Sequence, residues 1–337
     1  MRRANRWHVA GGAVVLLLVV VGALYLAPSN DYILLPDPAH AVAPLVRVQG
    51  GHDPRGPGKI YFVDVFERRA SELESLFPWI HKGATVVPAS LLVPPGVSDK
   101  AAHEADLRAM KISQQIAAAV ALRHLGYKVV ARPSGVVVDE IETTSHAVGV
   151  LHPADVITAV DGTATPTISR LRATLDAVRP GQSVTLQIRR GTQTTTGRVK
   201  TIASPVQKGH AIIGFTPDQA ADIRLPLNVQ IDAGNVGGPS AGLAFTLEVL
   251  AELGHDPTRG YKVAATGQIE LDGTVAPIGG VKQKTFGVRD AGAEVFLVPE
   301  AGGNAATAER YAGNLKIIPV RTFPQALRAL AKLPPKH

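Results

Sequence analysis

The sequence predicts a mixed α/β (α+β) fold, with a β-rich domain inserted into it or preceding it, and one N-terminal transmembrane helix. Three observations support this prediction. The chain opens with a charge-free run, its middle section has short strands separated by turns, and its last third alternates strands with helices: Val9–Leu26, residues 127–203 and residues 209–337. At 337 residues the chain is long enough for two domains and an appended segment.

Residues 1–28 are predicted to form a short cytoplasmic stub and a single-pass membrane anchor. Val9–Leu26 contains eighteen residues without a charge, which is enough to cross the hydrocarbon core of a bilayer. Positive residues before such a segment stay in the cytoplasm, so the bulk of the chain is expected to be extracytoplasmic; the residues concerned are Arg2, Arg3 and Arg6. The alternative is a cleaved signal peptide, for which Ala41-Val42-Ala43 offers a late cleavage site.

Composition excludes several kinds of site. The chain contains no cysteine, which excludes disulfides, thiol nucleophiles and cysteine-ligated metals. The net charge of +7 is scattered along the sequence and aromatic residues make up only 5%, so we expect no nucleic-acid-binding surface. A basic exterior that faces anionic lipid is the simpler account of the charge. No metal or cofactor is expected.

Two different regions precede the β-rich section. Residues 29–55 contain several Pro and Asp residues and no clear periodicity, so we expect a tether that ends in a turn. Residues 56–126 are expected to begin a folded domain. Lys59–Phe66 (KIYFVDVF) predicts a strand, and Asp106–Leu125 predicts a helix because its apolar residues recur at helical spacing. Pro94–Gly96 breaks the chain between these two elements.

Residues 127–203 contain several short sequence motifs that predict strands and one helix. A helix is expected over Thr167–Gly181, and the strands are GVVVDEI, DVITAVDG and SVTLQIRRG, at Gly135–Ile141, Asp155–Gly162 and Ser183–Gly191. Their order resembles a bacterial PDZ domain, with Ala154 where that family usually has glycine.

The PDZ resemblance implies a peptide-binding strand. An open strand edge beside a helix accepts an extended peptide as an additional strand. The residues that the resemblance assigns to this role are Gly135, Val136, Val137 and Val138. The alternative is a structural β-rich insert without a ligand.

The stretch Leu227–Leu253 contains the candidate nucleophile. A strand-like run leads into a glycine-rich loop, and Pro239 and Ser240 precede an apolar run that predicts a helix. A hydroxyl at that position lies near free backbone N–H groups and near the positive end of the helix dipole. Ser240 is therefore either a helix cap or a nucleophile whose oxyanion is held by those N–H groups.

A nucleophilic serine needs a base. Gly238–Gly242 matches G-x-S-x-G, the nucleophile elbow of α/β-hydrolases, but only His255 and His337 follow it in the chain, and neither is a convincing base. Lysine is the other option, provided that burial or nearby positive charge lowers the pKa of its amine from about 10.4. Lys282 and Lys284 lie at the head of a predicted helix, where the helix dipole disfavours a protonated amine.

Several linked words in the last third resemble the proteolytic domain of the Lon family, whose members are Ser–Lys serine peptidases. They are GGPSAG (Gly237–Gly242), ATGQIELDGTVAPIGGVKQK (Ala265–Lys284), AGAEVFLVP (Ala291–Pro299) and LKIIPV (Leu315–Val320). The departures are Gly237, where the family often has Asp, and Gln268, where it often has Glu.

The Lon resemblance assigns roles to residues. It implies that Ser240 is the nucleophile, that Lys284 is the general base 44 residues later, and that the Thr266 hydroxyl holds the lysine amine. Backbone N–H groups at Gly238, Pro239 and Ser240 are expected to form the oxyanion hole.

Taken together, these resemblances imply an ATP-independent, membrane-anchored serine endopeptidase whose PDZ domain captures peptide segments or C-termini of protein substrates. The sequence contains no G-x-x-x-x-G-K-[ST] motif, so no ATPase is expected. The proteolytic domain is expected over residues 204–337, with 56–126 as its first part. The competing hypothesis is a non-catalytic PDZ scaffold, and a homo-oligomer is suggested only by analogy with the family.

Overall fold

The computed structural model describes the chain in five stretches, with side chains from Ala10 onward: residues 2–52, 56–93, 97–205, 207 and 209–336. The centre of the predicted turn before Gly58 and the break predicted at Pro94–Gly96 lie outside the described residues.

The N-terminal segment is a helix, α1 (Arg2–Leu26). From Val14 to Val21 its large apolar side chains are between 39% and 65% exposed. Within the described part of the chain, no helix is both long enough and apolar enough to qualify as a membrane span.

The elements that follow form two small sheets and the edge of a third, and they correct two of the predictions above. They are β1 (Pro28–Pro36), β2 (His40–Ala41), β3 (Val46–Val48), β4 (Lys59–Phe62), β5 (Val65–Ser71), α2 (Glu72–Leu76), β6 (Thr85–Pro88) and α3 (Asp99–His124).

The prediction of a tether over residues 29–55 is wrong. β1 pairs antiparallel with both β5 and β6, and β3 pairs with a strand from the last third of the chain, Val229–Ile231. The reason is that Ile33, Val42 and Val46 are completely buried, so the segment contributes to the core despite its irregular periodicity.

The predicted strand Lys59–Phe66 is in fact two strands. β4 ends at Phe62 and lies in one sheet, and β5 begins at Val65 and lies in another. The chain turns at Val63-Asp64, so one β-rich run of sequence contributes a strand to each of two sheets. The predicted helix Asp106–Leu125 begins earlier than expected, because Ser98 caps α3 by accepting a hydrogen bond from the Ala101 N–H.

The β-rich section forms its own sheet. Its elements are β7 (Val130–Ile141), β8 (Val156–Val160), β9 (Thr163–Ala164), α4 (Ile168–Leu175), β10 (Ser183–Arg190), β11 (Gln193–Lys200), β12 (Ile202–Ala203), β13 (Ala211–Ile212) and β14 (Phe215–Arg224). The main path of the sheet has the order β11-β10-β8-β7-β14. β14, which comes from beyond residue 203, pairs with β7 along its length.

The last third completes the α/β part. Its elements are β15 (Val229–Ile231), α5 (Gly242–Glu252), β16 (Lys262–Ala265), β17 (Gln268–Ile269), β18 (Val275–Ala276), α6 (Val281–Asp290), β19 (Val295–Pro299), α7 (Asn304–Tyr311), β20 (Lys316–Val320) and α8 (Phe323–Ala331). One sheet has the order β2-β4-β16-β19-β20, and β4 lies parallel to β16. Elements before and after the β-rich section therefore share one sheet.

Helix α5 is the centre of the main core. All of its residues from Gly242 to Glu252 are buried. Phe245, Leu243 and Leu247 belong to one cluster that also contains residues of α3, β4, β16 and α8. The helix is enclosed on every side although it carries Glu248 and Glu252, and this enclosure fixes the position of the loop that leads into it.

Candidate active site

The loop between β15 and α5 presents Ser240, and Lys284 meets it there. Lys284 Nζ lies 2.5 Å from Ser240 Oγ. The helix-cap interpretation of Ser240 is excluded by geometry, because α5 begins at Gly242 with Ala241 at its N-cap and no side-chain capping bond. The serine hydroxyl is thus turned toward the amine.

Small residues allow this loop to lie close to α3. A Cβ at Gly237 would approach the Cβ of Asp106 to 2.6 Å, which explains why no side chain is found there. The Gly238 N–H donates to the Asp106 carbonyl at 2.9 Å, and the Ser113 hydroxyl donates to the Pro239 carbonyl at 2.9 Å. Helix α3 therefore holds the two residues before Ser240.

Lys284 is positioned by the first turn of α6 and is almost completely enclosed, at 4% exposure. Burial lowers the pKa of its amine from 10.5 to about 8, although the carboxylates of Asp64 and Glu67 act in the opposite direction. The neutral amine is therefore accessible near neutral pH, which a general base requires.

Thr266 connects Ser240 and Lys284 from the position directly after β16. Its fully buried hydroxyl lies 3.5 Å from Lys284 Nζ and donates to the Ser240 carbonyl at 3.2 Å. The Gly267 N–H donates to the same carbonyl at 2.8 Å. The segment after β16 thus holds the backbone of the serine and adjoins the lysine amine.

The predicted oxyanion hole needs correction. Pro239 has no N–H, and the N–H of Gly238 is used by the Asp106 carbonyl. Among the described residues, the N–H groups of Ser240 and Ala241 have no acceptor. These two groups, just before the positive end of α5, are available to an oxyanion.

Lys282 has a different role from Lys284. Its Nζ donates to the Ala84 carbonyl at 2.7 Å and lies 3.3 Å from the Thr85 hydroxyl. Gln283 makes a similar contact, donating to the Gly83 carbonyl at 3.0 Å. These side chains attach α6 to the start of β6, so Lys282 is structural.

The peptide-binding strand predicted at Gly135–Val138 is wrong in its position. Val136 and Val137 pair with β8 on one side and with Gln219 and Asp218 of β14 on the other, so both edges are used. The strand at the end of the sheet is β14, and its start and middle lie beside α4. The Ile168 N–H of α4 donates to the Gln219 side chain at 3.4 Å.

One cluster has the residue types of a metal site. Ligand atoms of Asp37, His40 and Asp64 lie within 4.8 Å of one another, a grouping found among the described residues. His40 Nε2 already makes a 2.9 Å hydrogen bond with Asp37, and His40 is exposed. This pairing accounts for Asp37 and His40, whereas the Asp64 carboxylate acts on the Ser240 site by raising the pKa of Lys284.

Sequence reasoning missed three contributors to the site. Ser113 lies inside the predicted helix, and only its burial at 2% exposure marks it. Asp64 lies at the turn inside the run Lys59–Phe66 that was predicted as a single strand, and Glu67 lies on β5, one residue beyond that run. An acidic residue inside the apolar run and another directly after it were the available signal.

Comparison with known proteins follows the same division of the chain. Residues 198–332 match the family model of the Lon protease (S16) C-terminal proteolytic domain, and residues 124–201 match that of the PDZ domain. The chain carries a Lon-type proteolytic domain. Ser240, Thr266 and Lys284 all lie within the matched residues.

Curated Lon proteases are also similar in sequence to this chain. The Lon protease of Chloroflexus aggregans is 31% identical over 138 residues, which is 40% of this chain and 17% of that protein. Lon protease 1 of Sorangium cellulosum is 32% identical over 140 residues, which is 38% of this chain and 17% of that protein. The chain therefore spans less than a fifth of the length of these Lon proteases.

A solved structure resembles the part of the chain that matches the PDZ domain. It is the PDZ domain of an SdrC-like protein from Listeria monocytogenes, 26% identical, covering 25% of this chain and 87% of that chain at a TM-score of 0.23. At that score the likeness adds nothing to the PDZ family match.

Proposed function

We propose that this chain is an ATP-independent serine endopeptidase that uses Ser240 as nucleophile and Lys284 as general base. The observation that carries the proposal is the 2.5 Å approach of Lys284 Nζ to Ser240 Oγ inside a Lon-type proteolytic domain. The amine is enclosed, which favours its neutral form, and Thr266 adjoins both partners.

The proposed reaction has two steps. Neutral Lys284 takes the hydroxyl proton as Ser240 Oγ attacks a peptide carbonyl carbon, and the N–H groups of Ser240 and Ala241 stabilise the oxyanion. The ammonium then protonates the departing amine, leaving an ester on Ser240. In the second step Lys284 deprotonates a water, which attacks the ester, and the proton returns to Ser240 Oγ.

Two rival functions are less well supported. An α/β-hydrolase elbow needs a strand that runs directly into the serine, whereas β15 ends at Ile231, well before Ser240. A non-catalytic scaffold has no need for an enclosed amine beside the serine, because burying a lysine destabilises a fold that gains nothing from it.

The decisive test is cleavage of an unfolded protein by the purified full chain without ATP. Wild type should produce fragments, and Ser240→Ala should produce none. Lys111→Ala, an exposed change on α3, is the matched control and should cleave as wild type does. Equal cleavage by Ser240→Ala would overturn the assignment of the nucleophile.

The PDZ domain is proposed to capture extended peptide segments or C-termini along β14. This strand ends the sheet and lies beside α4, the arrangement that accepts an added strand. Near its far end, Ile223 packs against the core that contains α5. A segment held on β14 is therefore close, along the chain, to the loop that carries Ser240.

Hydrogen exchange with a substrate-derived peptide tests this location. Peptide binding should protect backbone amides within residues 215–224 and leave those of residues 135–138 unchanged, because the latter are already in the sheet. An amidated peptide measures the contribution of the C-terminal carboxylate. Protection at residues 135–138 alone would contradict the assignment of β14.

The chain is also proposed to be anchored in the cytoplasmic membrane by α1, with the rest extracytoplasmic. Support comes from the charge-free run Val9–Leu26, from the arginines before it and from the exposed apolar side chains of Val14–Val21. The cysteine-free chain allows a clean test with Asn314→Cys, at an exposed turn. A membrane-impermeant maleimide should label this variant in intact cells; labelling only after lysis would reverse the orientation.

A further inference from the structure

A group of large apolar side chains lies uncovered at the last residue of α2 and just beyond it. Its members, which we call the foot patch, are Leu76, Phe77, Trp79 and Ile80, with exposures of 57%, 40%, 72% and 48%. The rings of Phe77 and Trp79 are in edge-to-face contact, with centroids 5.2 Å apart. Four of the five residues from Leu76 to Ile80 are large, apolar and exposed, whereas an ordinary protein surface exposes such side chains singly.

The foot patch adjoins the end of the N-terminal helix. The Glu72 N–H donates to the Ala27 carbonyl at 2.9 Å, and the Ser75 hydroxyl lies 2.9 Å from that of Ser29. Helix α2 also packs against α1. The residue before the patch is thus fixed beside the point where the chain leaves α1.

The last turn of α1 continues the apolar surface. Leu26 is 80% exposed and Tyr25 is 56% exposed. Tyrosine and tryptophan have an apolar ring and a polar N–H or O–H, which is why both concentrate at the boundary between lipid and water. Tyr25 and Trp79 therefore have the composition of an interfacial belt at one end of the helix.

The charged groups next to the patch are compatible with lipid headgroups. The one buried carboxylate of α2, Glu74, is neutralised by Arg68 at 2.6 Å and contacted by His81 at 2.7 Å. Lys82 follows directly. The exposed Glu72 is balanced by the exposed Lys82, so no excess of negative charge beside the patch opposes contact with a bilayer.

We propose that the foot patch inserts into the outer leaflet of the membrane and forms a second contact beside α1, a proposal that rests on the anchoring proposed above. Four side chains bury well under the ~800 Å² per partner that a stable protein interface needs. A bilayer has no such minimum, because each buried side chain adds independently to the binding. This contact would fix the orientation of the proteolytic domain relative to the membrane.

Tryptophan fluorescence of the full chain tests the proposal. The chain has two tryptophans, so Trp7→Phe leaves Trp79 as the sole reporter. The variant is reconstituted into vesicles of phosphatidylcholine and phosphatidylglycerol. Lipid brominated near the headgroup end of its acyl chains should lower Trp79 emission about twofold, and acrylamide should quench it less than in the unfolded chain, as expected for a ring at the interface.

Two variants in the Trp7→Phe background sharpen the test. Leu76→Ser with Ile80→Ser should remove most of the quenching by brominated lipid. Tyr127→Ser is the matched control, because it changes an exposed aromatic residue far from the foot patch. The start of α3 lies near the patch, since its first residue Asp99 pairs with Arg69, and Tyr127 lies just beyond the other end of this 26-residue helix. At 1.5 Å per residue the two ends are roughly 39 Å apart, so the control should leave quenching unchanged.

The outcomes separate this proposal from the anchor. If the chain floats with the vesicles but Trp79 is quenched by acrylamide and not by brominated lipid, the foot patch faces water and the proposal fails while the anchor stands. If Trp79 is shielded from both quenchers, a protein surface covers the patch, and the proposal also fails. A chain that does not float with vesicles overturns the anchor and this proposal together.

Discussion

Lys284 Nζ and Ser240 Oγ lie 2.5 Å apart although the two residues are separated by 44 positions in the sequence. Each is fixed by a different part of the core. Ser240 is held through Pro239 by Ser113 of α3 and through its own carbonyl by the segment after β16, and Lys284 is held by α6. The contact therefore depends on the packing of α3, α6 and the segment after β16.

Replacing Lys284 with methionine should abolish catalysis, because a thioether cannot accept the serine proton. We expect kcat/KM to fall at least about 10⁴-fold, in the range found when one member of a catalytic unit is removed. Lys282→Met is the matched control: it lies on the same helix but contacts Ala84 and Thr85, so the reaction should persist. Peptide hydrolysis measures both. Loss of activity in Lys282→Met alone would exchange the two roles.

Activity should rise with pH. Only the neutral amine accepts a proton, and burial lowers the pKa of Lys284 to about 8, so kcat/KM should increase through that pH and level off above it. Glu67 raises the pKa of the lysine, so Glu67→Gln should shift the midpoint to lower pH. An exposed change on α3, Lys111→Ala, should not move it. A profile that is flat between pH 6 and 10 would contradict an amine base.

Lysine at position 284 should destabilise the fold at neutral pH. Its pKa is about 8 when folded and 10.5 when free, so below pH 8 the folded state bears the full cost of burying the ammonium. At 1.36 kcal/mol per pKa unit the cost is on the order of 3 kcal/mol. The folded chain binds fewer protons between these two values, so stability increases as pH rises through that window.

Lys284→Met should therefore be more stable than wild type at pH 7. Its advantage should shrink as pH rises from about 8 to 10.5, because wild type recovers the cost over that range. Denaturant unfolding at several pH values measures this difference. A variant that is less stable than wild type at pH 7 would mean that the lysine contacts outweigh its desolvation.

Removing the Thr266 hydroxyl should weaken catalysis without eliminating it. The hydroxyl lies 3.5 Å from Lys284 Nζ and donates to the Ser240 carbonyl, so Thr266→Val leaves both less well positioned. Loss of such bonds costs about 1–3 kcal/mol, equivalent to roughly 5- to 150-fold in rate. We expect the effect in kcat, with KM nearly unchanged. Thr266→Ser, which keeps the hydroxyl, should recover most of the activity.

The motifs around Ser240, Thr266 and Lys284, through their resemblance to the Lon proteolytic domain, were sufficient to predict the contact between Lys284 and Ser240. Glycines in a tight loop and a lysine at a helix start point to a specific site, because neither residue type favours an ordinary helix start. The oxyanion prediction failed at Gly238, whose N–H is used by the Asp106 carbonyl. Sequence spacing does not indicate which backbone donors another segment has already bound.

The errors elsewhere have a common cause. Residues 29–55 resemble a tether because their strands lack a clear apolar periodicity and pair with distant partners, Val46–Val48 with Val229–Ile231 among them. Gly135–Val138 resembles an open edge because β14, which covers it, lies about eighty residues later. Both depend on non-local strand pairing, which leaves little trace in local periodicity.

The sequence by itself predicted the candidate residues: residue type and position indicated a serine before an apolar helix and a lysine at the head of another, and the resemblance to the Lon proteolytic domain selected Lys284 and added Thr266. The tertiary structure alone decided the environment of that chemistry, including the burial that lowers the pKa of Lys284, the N–H groups left to an oxyanion and the strand that ends the β-rich sheet. The physical reason is that desolvation and hydrogen-bond occupancy depend on every segment that packs around a group, whereas a motif contains only its neighbours in the chain.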